Sequence, residues 1–228
     1  QAWTRQPSAE SPTEALARDL LQALRAQRPT AVVAARAAYY EALLALGQHD
    51  ELAAQRLAQE VIAKAPRTPE AFEARILLAD LRARVTSPRD AMAWLQQTMA
   101  SEQLGRSQQA KLAKRFGDVE RTEQAYPEAI RWYEQAAERW PALGGEAVYW
   151  IASCDEEMGE LERALERYQS IVQPPWRIRG QLAAAKLLER LDRPSEAEAV
   201  YERLAQESIP EAELAQERLA VLRRGLDR

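Results

Sequence analysis

The sequence predicts an all-α protein built from stacked antiparallel helix pairs, and three observations point to this class. A small residue, a tyrosine four positions later and a small or apolar residue three further on recur from Ala129, from Ala164 and from Ala197. Successive copies are 35 and 33 residues apart, the length of one helical hairpin with its turns. Helical segments alternate with short breaks throughout, and no segment supports a strand.

An N-terminal helix is expected to precede the pairs. Residues 1–10 are polar and include Pro7, which predicts an irregular lead-in. Order is expected from Ser11, since Ser11 suits an N-cap, Pro12 the first helical position and Glu14 the third position of a capping box. Leucines at helical spacing then mark one apolar face to about residue 26. Residues 11–228 are expected to form one continuous array.

Five helix pairs and a closing helix are expected after residue 30. Prolines at positions 69, 88, 127, 194 and 210 suit first helical turns, and Gly47 and Gly159 can adopt the left-handed conformation that ends a helix. The expected helices cover about residues 30–46 with 50–64, 69–84 with 88–100, 107–121 with 126–139, 145–158 with 161–173, and 177–191 with 194–206, followed by 210–224.

Packing explains why the pairs repeat. Two antiparallel helices bury one face against each other and leave a second apolar face that only the next pair can cover. Ala129, Ala164 and Ala197 are expected where helices approach closely. The tyrosine one turn after each alanine is expected to fill the space between repeats.

The segment EAIRWYEQAAERWP resembles the second helix of the tetratricopeptide repeat, with a small residue, an aromatic, a second small residue and a closing proline at the family's spacing. Gly117 stands where the family has a small residue in its first helix. The resemblance covers about residues 30–208 and is best over 107–208. It implies a right-handed α-solenoid in which residues 210–224 cap the last pair. A looser array of helix pairs is the alternative, with the same functional interpretation.

In proteins of this family the first helix of each pair lines a concave groove. The resemblance therefore implies a mixed aromatic and basic groove that holds an extended or helical peptide bearing acidic groups. The alternative is that the charged side chains on this face of the first helices are ordinary solvated charges. The partner-binding residues expected on this basis are Lys111, Lys114, Arg121, Tyr149, Arg179 and Lys186.

Catalytic, metal and cofactor sites are not expected. The chain has one histidine, His49, in a polar turn, and one cysteine, Cys154, on an apolar helix where a buried structural thiol is expected. No phosphate-binding glycine loop or nucleophile motif occurs. The carboxylate clamp with which some members of the family hold chaperone C-termini uses two asparagines, and this chain has no asparagine.

Composition limits the classes of partner. The 31 basic and 35 acidic residues are interspersed and give a formal charge of −4, so nucleic acid is not an expected partner. No apolar run approaches the length needed to cross a bilayer. Arginine greatly outnumbers lysine, a bias typical of a high-GC bacterial genome.

The sequence therefore predicts a noncatalytic scaffold or adaptor that binds a partner segment in its groove. The resemblance places it in a bacterial cell-envelope assembly by analogy, while the compartment stays open. A polysaccharide-binding or export-associated domain of a larger protein is the alternative, suggested in part by the start at Gln1. Self-association is a further possibility.

Overall fold

Successive antiparallel helix pairs account for the described part of the chain. The computed structural model describes residues 12–27, 30–101, 103–207 and 209–226. These residues form twelve α-helices and a short 3-10 turn at Pro141–Leu143, with no strand. All the expected helices are present, which confirms the all-α class, while the expected lead-in and the Ser11 cap lie outside the described residues. The helices are α1 Pro12–Ala26, α2 Ala31–Gly47, α3 Glu51–Lys64, α4 Pro69–Val85, α5 Pro88–Ser101, α6 Arg106–Thr122, α7 Tyr126–Arg139, α8 Gly144–Glu157, α9 Leu161–Ser170, α10 Trp176–Arg190, α11 Pro194–Ala205 and α12 Glu211–Leu226.

Two local predictions need correction. Helix α9 ends at Ser170 rather than near residue 173, since Ile171 has an extended backbone with ψ of 117° and Pro174 has no amide hydrogen to bond the Ser170 carbonyl as a longer helix would require. Gly159 has the expected left-handed backbone, with φ of +81°. The same expectation for Gly47 is wrong, since Gly47 is the last residue of α2 and His49 takes the left-handed conformation instead, with φ of 62°.

The turn inside a pair has a recurring geometry. Left-handed residues precede α3, α7, α9 and α11 at His49, Gln124, Gly159 and Asp192. The next residue then donates its amide to a carbonyl five positions back, as in the 2.9 Å bond from Glu160 to Asp155. This pattern closes the end of a helix and reverses the chain within a few residues.

The chain divides into two units, and unit 1 comprises Gln1–Gln103. Its core is rich in alanine: Ala42, Ala54 and Ala58 are fully buried where α2 and α3 meet. Leu78 of α4 packs into the same cluster. Small side chains let these helices approach closely, and the core is completed by larger residues of α4.

Unit 2 comprises Leu104–Arg228 and includes all three copies of the repeated Ala-Tyr pattern. Tyr133 and Tyr201 are fully buried and Tyr168 is 2% exposed, so the repeated tyrosines lie in the interior of unit 2. A Cβ added to Gly117 would lie 2.7 Å from Cε1 of Tyr133, so the ring itself requires the small residue expected there. Helix α12 packs on α11 and buries Ala215 in the same core as the last pair, as expected of a cap.

An ion-pair network ties the N-terminal helix to the next two helices of unit 1. Arg25 of α1 donates to Glu41 of α2 and to Glu60 of α3. Glu60 also accepts from Lys64 at 2.9 Å. None of the α1 side chains that the structure describes is buried, so these charged contacts act beside half-buried apolar ones such as Leu21 in attaching α1.

We expect acid to weaken unit 1 through these pairs. Burial raises the pKa of Glu60, but hydrogen bonds from Lys64 and Arg25 outweigh it and hold the pKa below the ordinary 4.5. Because the folded pKa is the lower one, this stabilisation is present above about pH 4.5 and is lost as the pH falls through the folded value. Glu60→Gln should therefore lower the urea midpoint at pH 7, and the difference from the wild type should shrink toward pH 3.

Glu134→Gln is the matched control, because Glu134 is exposed on α7 and has no ion-pair partner among the described residues. Its urea midpoints should follow those of the wild type at every pH. If the wild type and Glu60→Gln lost stability in parallel on acidification, the assignment to Glu60 would be wrong.

Candidate functional site

A pocket of about 350 Å³ opens on unit 2 between α8, α9 and α10. Its α8 wall is one helix face, because Tyr149, Ser153 and Glu156 are three or four residues apart. Its α10 wall is also one helix face, because Arg179, Leu182 and Lys186 are spaced by three and four residues. The lining residues are Tyr149, Ser153, Glu156, Tyr168, Arg179, Leu182, Ala183 and Lys186.

Aromatic side chains build one side of the pocket. The Tyr149 ring centroid lies 5.4 Å from that of Tyr168 and 5.2 Å from that of Trp176, both in tilted arrangements. Trp150 meets Tyr149 edge-on at 5.1 Å. Such pairs are favourable beyond the area that they bury, so Tyr149 is held in place by the protein itself. Burial raises the pKa of its phenol, against the opposing charges of Arg179 and Arg121, so the hydroxyl stays protonated.

The carboxylate in the pocket already has partners. The Tyr168 hydroxyl donates to Oε2 of Glu156 at 3.1 Å, and Arg190 pairs with the other oxygen. Burial, together with the charge of Glu156, raises the pKa of Tyr168 and keeps its hydroxyl a donor. Glu156 is therefore satisfied within unit 2.

The same hydrogen bond recurs in the repeats on either side. The Tyr133 hydroxyl donates to Oδ1 of Asp118 at 3.0 Å, and the Tyr201 hydroxyl donates to Oε1 of Glu189 at 2.7 Å. The sequence pattern predicts a packing role for these tyrosines and does not identify the acceptors of their hydroxyls. A signal was present, since Tyr168 and Tyr201 each follow a glutamate by twelve residues.

Two cations of α10 border the pocket. Cζ of Arg179 lies 4.7 Å from the ring centroid of Trp176, and both Arg179 and Lys186 are exposed. Within the part of the chain that the structure describes, neither side chain forms an ion pair with a carboxylate. The pocket therefore carries two positive charges that the protein does not neutralise.

The other three expected residues lie on α6 and engage groups of the protein. Nζ of Lys114 is 2.9 Å from Oδ2 of Asp118 and 3.0 Å from Oε1 of Glu146. Cζ of Arg121 stacks 4.4 Å from the Trp150 ring centroid, and Nζ of Lys111 lies 5.8 Å from that of Trp140. The structure thus brings Tyr149, Arg179 and Lys186 together at the pocket, and it places Lys111, Lys114 and Arg121 outside its lining.

Groups with catalytic or metal-binding chemistry are scattered. Cys154 is buried, and burial raises the pKa of its thiol to about 11, in line with the structural role expected. His49 is exposed in the α2–α3 turn. The described residues contain no group of three or more His, Cys, Asp or Glu side chains placed to hold a metal ion. None of the described helices combines the length and apolarity that crossing a bilayer requires.

Comparison with known proteins gives a likeness of fold. No family model and no curated protein matches the sequence. Among solved structures, Pseudomonas aeruginosa PilF has a TM-score of 0.60 at 18% identity, over 94% of this chain and 88% of that chain. A putative kinesin light chain with nearly identical TPR-like repeats, from Podospora anserina, has a TM-score of 0.57 at 16% identity, over 73% and 91%. MamA has a TM-score of 0.52 at 20% identity, over 77% and 94%. The chain therefore has the fold of the tetratricopeptide-repeat proteins that its repeated Ala-Tyr pattern resembles.

Proposed function

We propose that this chain is a noncatalytic scaffold or adaptor that binds a segment of another protein. The segment lies on the face of α6, α8 and α10 that carries Lys114, Tyr149 and Arg179, here termed the inner face. The observation that carries the proposal is the pocket on this face, where the half-buried Tyr149 ring and the buried Tyr168 ring adjoin two exposed cations. Tyrosine, tryptophan and arginine are the residues most enriched at energetically important positions of protein interfaces.

Two further features favour a protein segment over other ligands. The formal charge of −4 opposes the phosphate neutralisation on which nucleic-acid binding depends. The guanidinium of Arg179 covers one face of the Trp176 ring, which removes that face as a flat platform for a sugar. A stacked array of helix pairs, by contrast, offers the extended surface that a peptide segment requires.

Site-specific photo-crosslinking tests the proposal. A photoreactive phenylalanine analogue replaces Ser153 on the inner face or, as the matched control, Glu166 on the exposed side of α9. Each full-length variant is expressed in cells that carry the natural chain. We expect position 153 to give a covalent adduct with a second protein, and position 166 to give none with that protein.

The adduct is identified from its peptides. Equal yields from both positions, or no adduct at position 153, would contradict binding on the inner face. Adducts that contain only peptides of this chain would show that the bound segment belongs to a second copy of this chain and not to a different protein. A place in a bacterial cell-envelope assembly remains the prediction made from the family resemblance, and fractionation of the same cells tests it.

A further inference from the structure

The acidic and basic side chains on the inner face of unit 2 differ in whether the protein itself pairs them. Its acids are matched inside the protein: Asp118 by Lys114 and Arg115, Glu156 by Arg190, and Glu189 by Arg218 at 2.5 Å. The cations at the pocket have no such match among the described residues. A chain with an overall negative charge thus presents a local positive excess at one pocket.

Arg179 is oriented before any ligand arrives. Its guanidinium stacks on Trp176, and the Trp176 ring packs against Tyr149 at 5.2 Å. A stacked guanidinium leaves its edge free, and that edge matches the two oxygens of a carboxylate. Little side-chain entropy is then lost on binding.

Lys186 lies two helical turns after Arg179, about 10 Å further along the axis of α10. Leu182 and Ala183 line the pocket between them. A volume of about 350 Å³ accommodates a side chain of a bound segment.

We propose that the pocket between α8, α9 and α10 receives an aspartate or glutamate side chain of the bound segment, with Arg179 as the main anchor and Lys186 as the second. This assignment rests on the proposed function, because it names the chemistry that the inner face recognises in its partner. The protonated hydroxyl of Tyr149 adds a neutral donor on the α8 wall. Lys111, Lys114 and Arg121 contribute no free charge to this pocket.

Three N-acetylated peptides serve as probes in NMR titrations of the ¹⁵N-labelled full chain. The first is acetyl-Ala-Ala-Glu-Ala-Ala-amide, the second has glutamine in place of glutamate, and the third is the glutamine peptide with a free C-terminal carboxylate. We expect saturable shifts of the Ser153 and Gly180 amides with the first peptide only. Shifts with the glutamine peptide, or stronger binding of the free chain end, would overturn the assignment.

Variants of α10 separate charge from geometry. Arg179→Gln is expected to raise the dissociation constant of the glutamate peptide about tenfold, as for loss of a charge-assisted hydrogen bond. Arg179→Lys keeps the charge but loses the stacked fork, so it should recover only part of the affinity. Lys186→Gln should have a smaller effect than Arg179→Gln. Arg203→Gln, an exposed change of the same charge on α11, is the control and should leave binding unchanged.

Wild-type affinity in Arg179→Gln, with helicity and melting temperature preserved, would remove Arg179 as the anchor. The two proposals fail separately. A crosslinked partner without a response to the glutamate peptide overturns the pocket assignment alone. Binding of the peptide without any crosslinked partner overturns the proposed function and leaves the chemistry of the pocket in place.

Discussion

Replacing Tyr133 by alanine is expected to lower the free energy of unfolding of unit 2 by about 3 to 5 kcal/mol. The Tyr133 side chain is fully buried, and its ring fills the space against Gly117. The substitution leaves a cavity between α6 and α7 and also removes the hydrogen bond to Asp118. Urea unfolding of the full chain, followed by tryptophan fluorescence and circular dichroism, measures the loss.

Two companion variants divide this effect into its parts. Tyr133→Phe keeps the ring and loses only the hydroxyl, so a cost of about 1 kcal/mol is expected. Tyr40→Ala removes the same side chain at a position that is 50% exposed and should cost much less than Tyr133→Ala. A loss below about 1 kcal/mol for Tyr133→Ala would show that the ring does not fill an inter-helix space.

Gly180→Ala is expected to destabilise unit 2 by about 1 to 3 kcal/mol, as overpacking does. A Cβ at this position would lie 2.8 Å from the backbone oxygen of Tyr168 and 3.0 Å from Cδ1 of Ile171. Because the first of these atoms belongs to the backbone, α9 and α10 must separate to admit the methyl group. The sign of the change in the free energy of unfolding is informative, because replacing glycine by alanine in an uncrowded helix stabilises by about 0.5 to 1 kcal/mol.

Gly144→Ala is the control in the same unit, because the nearest atom to its added Cβ is 4.0 Å away. Its urea midpoint should stay close to that of the wild type or rise. A gain in stability from Gly180→Ala would contradict the close approach of α9 and α10. Gly180 also adjoins Arg179, so the same substitution should weaken binding of the glutamate peptide.

The repeating pattern of Ala129, Tyr133 and their counterparts was sufficient to predict the helix pairs. Helical periodicity, capping and proline placement are local properties, and they are written within a few residues of each helix end. The left-handed turn residues were harder to predict. Gln124 and Asp192 occupy the register of Gly159; aspartate tolerates the left-handed conformation, but neither residue indicates it as strongly as glycine does.

The candidate site could be predicted only in part. Helix register identified Tyr149, Arg179 and Lys186, which do line one pocket. It gave equal weight to Lys114, because register shows which residues share a face and does not show which side chains meet across helices. The pairing of Lys114 with Glu146 joins α6 to α8, and this contact exists only in the folded chain. The prediction of one continuous array from residue 11 onward stays a prediction.

The hydrogen bonds from Tyr133, Tyr168 and Tyr201 to their acids separate two tasks of the repeat. They join the first helix of a pair to the second through the tyrosine hydroxyls. Arg179 and Lys186 are exposed and take part in none of these hydrogen bonds, so substitutions there can alter what is recognised while the pairing of the helices stays intact. The ligand preference of the scaffold can therefore be changed by substituting single exposed side chains without disturbing the fold.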